Sequence, residues 1–337
     1  MPKRGFGTVA ELTAMIRAGR VMLLAGAETL LTQLPAGHWI GGTATDFLAE
    51  TGGATDRDRI FYSDLTDHAQ AVDIQLLKTR QLPGLARHYP RNGFSILILP
   101  GLSEILLRFT RDGMNYPGLF NNPLIGWISA IDPAETAPAR AKIFAGNGQP
   151  HTECGALMHV SLPLGQAAQI DMINLFTTGK GTAITFPEEG LSATSCLIDG
   201  TQQNLAAYIA AHRIDTNLPL IADSNGAAIN VSIREVDAQE QRVDFFSPVF
   251  KSLSYRFATP LTDFPAAFDR AIATITPGDI AFCCTCVLNY RQARLEGRRA
   301  GQFTGPVTFG EIAYIALNQT FACLSIIHLD DDGLVDF

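Results

Sequence analysis

With 337 residues, 47% of them hydrophobic and only 17% charged, the chain is too long and too apolar for intrinsic disorder and has room for two ordinary domains or one large fold. Its 25 basic and 33 acidic residues give a formal net charge of −8, which argues against a general nucleic-acid or anionic-membrane surface. The longest apolar runs, such as 94–99 and 324–327, fall far short of the roughly 20 residues that span a bilayer, and the charged start leads into no signal-peptide core, so a cytoplasmic protein is expected.

Apolar spacing at Val9, Leu12 and Ile16 behind Thr8 predicts a capped helix, followed by a buried strand over 21–25. A second helix is expected over 27–34, then a glycine-rich turn at 40–43 and strands over 60–62 and 71–76. Pro83 and Pro90 break the next segment. Residues 94–99 read as a buried strand, and Ile105, Leu106 and Phe109 form one face of a helix, with strands to follow over 127–131, 141–145 and 157–162.

Past residue 195 the order begins again. A helix over 204–212 leads to a strand over 218–222, and Asn225-Gly226 supplies a tight hairpin turn into a strand over 228–233. Next come a helix over 265–274, a buried strand over 279–284, a helix over 290–295, and strands over 306–309 and 321–327. The units 93–109 and 278–295 recur at an offset of roughly 180 to 195 residues, so two related halves are expected, 1–190 and 191–337. Many strands follow one another without helices between them. That pattern predicts an α/β fold of the α+β type, with largely antiparallel sheets, outer helices and a layered αββα arrangement.

The most distinctive segment runs from Gly301 through Thr308, Phe309, Gly310, Glu311 and Ile312 to Asn318-Gln319-Thr320. A glycine at 310 lets a ligand approach the backbone, and Glu311 can accept from an amine or hydroxyl; the plain alternative is a turn with a capping glutamate. The pair Gly310-Glu311-Ile312 and Asn318-Gln319-Thr320 before a last apolar strand resembles the carboxyl-terminal signature of the FIST sensory domains. The apolar strand 282–286 with Arg291 beyond it, and the turn Gly41-Gly42-Thr43, are similar to further elements of that family, although Leu317 stands where its members often carry a histidine.

This resemblance implies a stand-alone bacterial sensor of two halves with a ligand pocket between them, where the loops 41–45 and 308–311 converge. Its ligand-binding residues would be Gly41, Gly42, Thr43, Arg291, Gly310, Glu311 and Asn318, and its ligand an amino acid or similar small molecule. A separate partner protein would read the signal, and neither nucleic acid nor membrane is expected as a partner. Some members of that family bind haem and respond to nitric oxide, which keeps haem as an alternative cofactor; one axial histidine suffices, from His38, His68, His88, His151 or His159.

Other clusters lead less far. The six cysteines are spread through a core-rich chain and are expected to be reduced. Cys283, Cys284 and Cys286 read as core residues, since 283 faces away from 284 and 286 on a strand, and the competing reading is a cysteine-dependent enzyme using Cys284 or Cys286. His151, Cys154 and His159 match no common zinc spacing, so no metal site is assigned. Arg291, Arg294, Arg298 and Arg299 read as a solvated helix face or an anion site, and Asp330-Asp331-Asp332 as a frayed acidic end. The commonest nucleotide-binding, metalloprotease and serine-hydrolase motifs are absent, so no catalytic residue is named and an enzyme is the less favoured class.

Overall fold

The computed structural model describes residues 3–132, 140–224 and 227–329. Two six-stranded sheets form its centre. In the N-sheet the strands lie in the order Ile315–Leu317, Gly310–Ala313, Leu124–Ser129, Gly93–Pro100, Cys154–Ser161, Ala71–Lys78. In the C-sheet the order is Gly52–Thr55, Asp46–Ala49, Gly305–Thr308, Asp279–Cys286, Thr320–His328, Gln166–Asn174. Position by position the two orders correspond. Each sheet has one central parallel pair, Gly93–Pro100 with Leu124–Ser129 and Asp279–Cys286 with Gly305–Thr308, and every other neighbour is antiparallel.

The correspondence includes an exchange. Hairpin 46–55, from the first half of the chain, completes the C-sheet, and hairpin 310–317, from the second, completes the N-sheet. The expected halves 1–190 and 191–337 are therefore not separate packing units, because the strands on either side of residue 190 are shared between sheets. The recurrence between the units 93–109 and 278–295 has a structural counterpart in the equivalent strands beginning at Gly93 and Asp279.

The layers follow from alternation of side chains along the strands. Inward-facing Ile96, Ile98, Ile125, Trp127 and Met158 of the N-sheet meet Phe282, Cys284, Ala322, Leu324 and Ile326 of the C-sheet in one core. On the outer face of the N-sheet, Leu97, Leu99 and Leu157 pack under helix α3, which follows helices α1 (Val9–Arg17) and α2 (Glu28–Leu31) and spans Glu104–Asp112. On the outer face of the C-sheet, Ile280, Cys283 and Phe321 pack under α5 (Phe264–Thr274), whose predecessor is α4 (Leu205–Ala211). This is the αββα layering expected from the sequence. Thr8 caps α1 with a reciprocal bond to Glu11, as its position before the apolar periodicity predicts.

Two further parts complete the molecule. A five-stranded sheet, of which Met22–Gly26 and Trp39–Thr43 are a parallel pair, turns Leu23, Ala25 and Ile40 to the central core and Met22 and Leu24 to α1. Residues 40–43, expected as a turn, thus belong to a buried strand: Gly41 is glycine because a Cβ there would lie 2.6 Å from the Leu24 carbonyl oxygen. Residues 184–257, inserted between two C-sheet strands, form a six-stranded and a three-stranded sheet with α4 around their own core. The strands Leu220–Ser224 and Ala227–Val231 pair antiparallel, while the expected Asn225-Gly226 turn between them lies outside the described residues, as does Asp330-Asp331-Asp332.

Close approach of the parallel neighbours demands glycine at two points. A Cβ on Gly126 would sit 1.7 Å from the Leu97 carbonyl oxygen, and one on Gly305 would sit 1.8 Å from that of Cys283. Neither clash can be relieved by rotating a side chain, since the obstacle is backbone at the centre of a sheet. Gly126→Ala or Gly305→Ala should therefore each destabilise the fold by about 4 kcal/mol or more, read as a lower denaturation midpoint in urea; a midpoint like that of the parent would contradict the parallel pairings.

Candidate functional site

The carboxyl ends of the two parallel pairs come together at one end of the sandwich. Leu124–Ser129 leads to Ala130, Ile131 and Asp132, Gly305–Thr308 leads to Phe309, and Asp279–Cys286 leads to Val287, the first residue of α6 (Val287–Gln292). All of these line a cavity of about 340 Å3, together with Thr45 and Asp46 from the exchanged hairpin and Arg234 and Phe246 from the insertion. Gly101, after the remaining strand end, packs against Phe309: a Cβ there would meet its ring at 2.8 Å. We call this the seam cavity. Ligands in α/β sheets commonly bind at the carboxyl ends of parallel strands, where the loops diverge and backbone groups are free.

Its walls are of two kinds. Phe246 and Phe309 meet edge to face with ring centres 5.7 Å apart and make an apolar side with Val287 and Val307. The polar side carries charges of both signs. Asp132 is held by Arg57 through two hydrogen bonds of 2.6 and 2.8 Å, Arg234 pairs with Asp244 at 3.0 Å, and Asp46 accepts a hydrogen bond from the Thr55 hydroxyl. Arg291 differs from these. Its guanidinium has no ion pair or hydrogen bond among the described residues and is exposed at the cavity rim.

Of the seven residues expected to bind a ligand, the structure brings Arg291 alone to the seam cavity. Thr43 borders a small adjoining recess, with its hydroxyl donating to the Ala130 carbonyl at 2.7 Å. Gly41 and Gly42 lie within the buried strand Trp39–Thr43, and a Cβ on Gly42 would crowd Ile98, Ser129 and Trp127, each at 3.0 Å. Gly310 starts the strand Gly310–Ala313 and faces the Leu317 carbonyl. Asn318 is buried and donates to the Phe309 carbonyl at 2.9 Å, so it fixes the strand connection behind the cavity wall.

Glu311 requires the clearest correction. It is neither a turn residue nor a cavity group: it sits mid-strand opposite Trp127, with no exposed surface, inside the sandwich. One carboxyl oxygen accepts from the Thr320 hydroxyl at 2.5 Å and the other has no hydrogen-bond partner among the described residues. Burial pushes its pKa up to about 8, only partly offset by the Thr320 hydroxyl and neighbouring backbone amides. Glu311 and Asn318-Gln319-Thr320 therefore work as an internal latch. Gln319, in the left-handed region at φ 51°, donates to the Asn217 carbonyl and accepts from the Ser232 hydroxyl at 2.7 Å, while Asn230 donates to the Asn318 carbonyl, tying the insertion to the sandwich.

The thiols and histidines lie elsewhere. Cys283, Cys284, Cys286 and Cys323 are fully buried, and burial raises the pKa of Cys283 and Cys284 and pushes Cys286 up to about 12, the Glu311 carboxylate adding to the effect on the last two. Such thiols stay protonated, the opposite of what a nucleophile needs. His159 is buried in a hydrogen bond of 2.7 Å with Ser95, and burial lowers its pKa to about 4. His68 is buried beside Asp279, and His38 and His88 are exposed. None of these, nor half-buried His151, lines the seam cavity, so the residues present do not fit haem there. His151, Cys154 and His159 do not converge; among the described residues no three histidine, cysteine or acidic side chains are placed to hold a metal. Of the arginine run, Arg298 is taken up by Asp269 at 2.8 Å and Arg299 faces a different cavity.

Sequence reasoning missed Asp46, Arg234, Phe246 and Phe309 as the lining of one cavity. They come from three regions far apart in the chain, and only the hairpin exchange and the insertion bring them together. Residues 7–327 match the family of unknown function DUF6976, and the chain belongs to that family. No curated protein and no solved structure matches it.

A carboxyl with a raised pKa binds its proton in the folded chain and loses it in the unfolded one, so stability falls as pH rises from the ordinary value of 4.5 to about 8. Glu311→Gln keeps the neutral shape and should remove that slope, leaving the variant a few kcal/mol more stable than the parent above pH 8 and nearly equal to it below the ordinary value of 4.5, at about 1.4 kcal/mol per pH unit. Urea denaturation across this range checks it, and an unchanged slope would count against the assignment. Thiol labelling of the native protein should modify half-buried Cys154 and spare the other five cysteines until the chain unfolds.

Proposed function

We propose that this member of the DUF6976 family is a cytoplasmic sensor that binds a small carboxylate-bearing molecule, of amino-acid type, in the seam cavity. One observation carries the reading: the carboxyl ends of both parallel pairs, an exchanged hairpin and the insertion all converge on a cavity of about 340 Å3 with the uncommitted guanidinium of Arg291 at its rim. The volume suits a small ligand. Arg291 would take the carboxylate by paired hydrogen bonds, Asp46 would receive an ammonium group, and the Phe246–Phe309 wall would cover an apolar side chain.

The resemblance of residues 280–327 to FIST sensory domains supports the sensory half of the proposal. A signal requires the ligand to favour one arrangement over another. Arg234 and Phe246 belong to the insertion, whereas the opposite wall belongs to the sandwich, so a ligand touching both sides biases their relative position, to be read by a separate partner protein. The buried, protonated thiols disfavour the cysteine-enzyme alternative.

Titration calorimetry against amino acids and small carboxylates tests the proposal. Saturable binding is expected, weakened about 10- to 100-fold by Arg291→Ala, since a charge-assisted hydrogen bond is worth about 1.5–3 kcal/mol. Phe309→Ala should weaken apolar ligands more than small ones. Absence of saturable binding by any of them, or an Arg291→Ala variant that binds as tightly as the parent, would overturn the reading.

A further inference from the structure

Beside the seam cavity, and meeting it only at Arg291, lies a wider groove of about 730 Å3. One wall is α6 and its exit, carrying Arg291, Gln292 and Arg294; the other is the segment leading into α5 together with residues 215–218, which precede the insertion's strand Leu220–Ser224. We infer that this groove is a second binding site, for an organic phosphate of about nucleotide size.

The argument starts from its charges. The guanidiniums of Arg291 and Arg294 have no ion pair or hydrogen bond among the described residues, whereas Arg298, one turn further on, is held by both oxygens of Asp269. The two carboxylates of the groove are occupied locally. Asp263 caps α5 by accepting from the Ala266 amide at 3.0 Å, and Asp215 accepts from the backbone and side-chain nitrogens of Asn217, both at 2.9 Å. Neither carboxylate is paired with an arginine of the groove, so both guanidiniums keep unused donors for an anionic group.

Geometry narrows the class. Arginines three residues apart, the second in the left-handed region at φ 53°, present two planar forks to one site. A phosphoryl group, with three oxygens and close to two charges, can engage both forks, while a single carboxylate is satisfied by one. The floor below is apolar, with Leu218, Leu261 and Phe264 available to the body of the ligand. The volume lies within the range of sites that enclose cofactor-sized molecules. The overall charge of −8 disfavours a polymeric nucleic acid, which needs an extended basic surface, in the same place.

The groove shares Arg291 with the seam cavity, and the two readings are separated experimentally at Arg294, which does not line the seam cavity. The test is fluorescence anisotropy with methylanthraniloyl-ADP, competed by pyrophosphate. Saturable, salt-sensitive binding that pyrophosphate displaces is expected, weakened at least tenfold in Arg294→Glu and less in Arg294→Gln, with both variants retaining the parent's circular dichroism and Arg294→Gln its seam-ligand affinity. A parent protein that shows no saturable binding up to millimolar probe, or an Arg294→Glu variant that binds as tightly as the parent, overturns it.

Discussion

The central parallel pairs, each closed on its outer side by a hairpin from the other half of the chain, set the conditions for everything else in the molecule. Backbone amides at the centre of a sheet must be paired. Neither half can complete its own sheet: the edge of Leu124–Ser129 is filled by Gly310–Ala313, and that of Gly305–Thr308 by Asp46–Ala49. Folding therefore requires contacts across most of the sequence, and it brings residues 45–46 and 307–309 to one seam. The glycines at 126 and 305 follow from the same constraint, for the parallel neighbour passes where a side chain would stand.

The exchange also explains where the polar residues went. Hairpin 310–317 enters the interior of the sandwich with one ionisable group, Glu311, on its inward face. Burying a carboxyl is costly, and the chain meets part of that cost with the Thr320 hydroxyl and the rest by holding the group protonated near neutral pH. The sulfur atoms nearby feel the same low-polarity surroundings and remain thiols. Chemistry that needs charge is thereby excluded from the centre, and the charged, incompletely paired side chains collect at the seam and the neighbouring groove.

Much of this architecture is legible in the residues. Strands 21–25, 94–99, 279–284 and 321–327 are almost wholly apolar runs, and helices α1, α3, α4 and α5 show capping residues and periodic faces, because burial on two sides or on one stripe writes directly into composition. The strand Trp39–Thr43 escaped because its glycines, chosen for close packing, imitate a turn. Within the insertion the strands expected over 218–222 and 228–233 are present as Leu220–Ser224 and Ala227–Val231, whereas short pieces such as Ser195–Ile198 and Thr201–Asn204 escaped because they are only partly buried. Register and partner choice had no local signal at all. Glu311 shows the consequence: a distinctive motif is visible in one dimension, but whether its carboxylate faces a guest or a core depends on a hairpin crossing from one sheet to the other.

The insertion then acquires a definite place in the argument. A sandwich with two equivalent strand-end clusters needs only its loops to make a shallow depression; residues 184–257 add a third wall through Arg234 and Phe246. That wall is not held by apolar packing alone. Asn230, Ser232 and the Asn217 carbonyl bond to Asn318 and Gln319, which directly precede Thr320, the partner of Glu311. The buried carboxyl, the latch and the cavity wall are thus consecutive links of one hydrogen-bonded chain, and under the proposed function a ligand that shifted Phe246 or Arg234 would act on a lever whose other end is anchored in the core. Directional bonds of this kind have discrete alternatives where a greasy interface would yield gradually, which is what a binding event needs if it is to be read elsewhere.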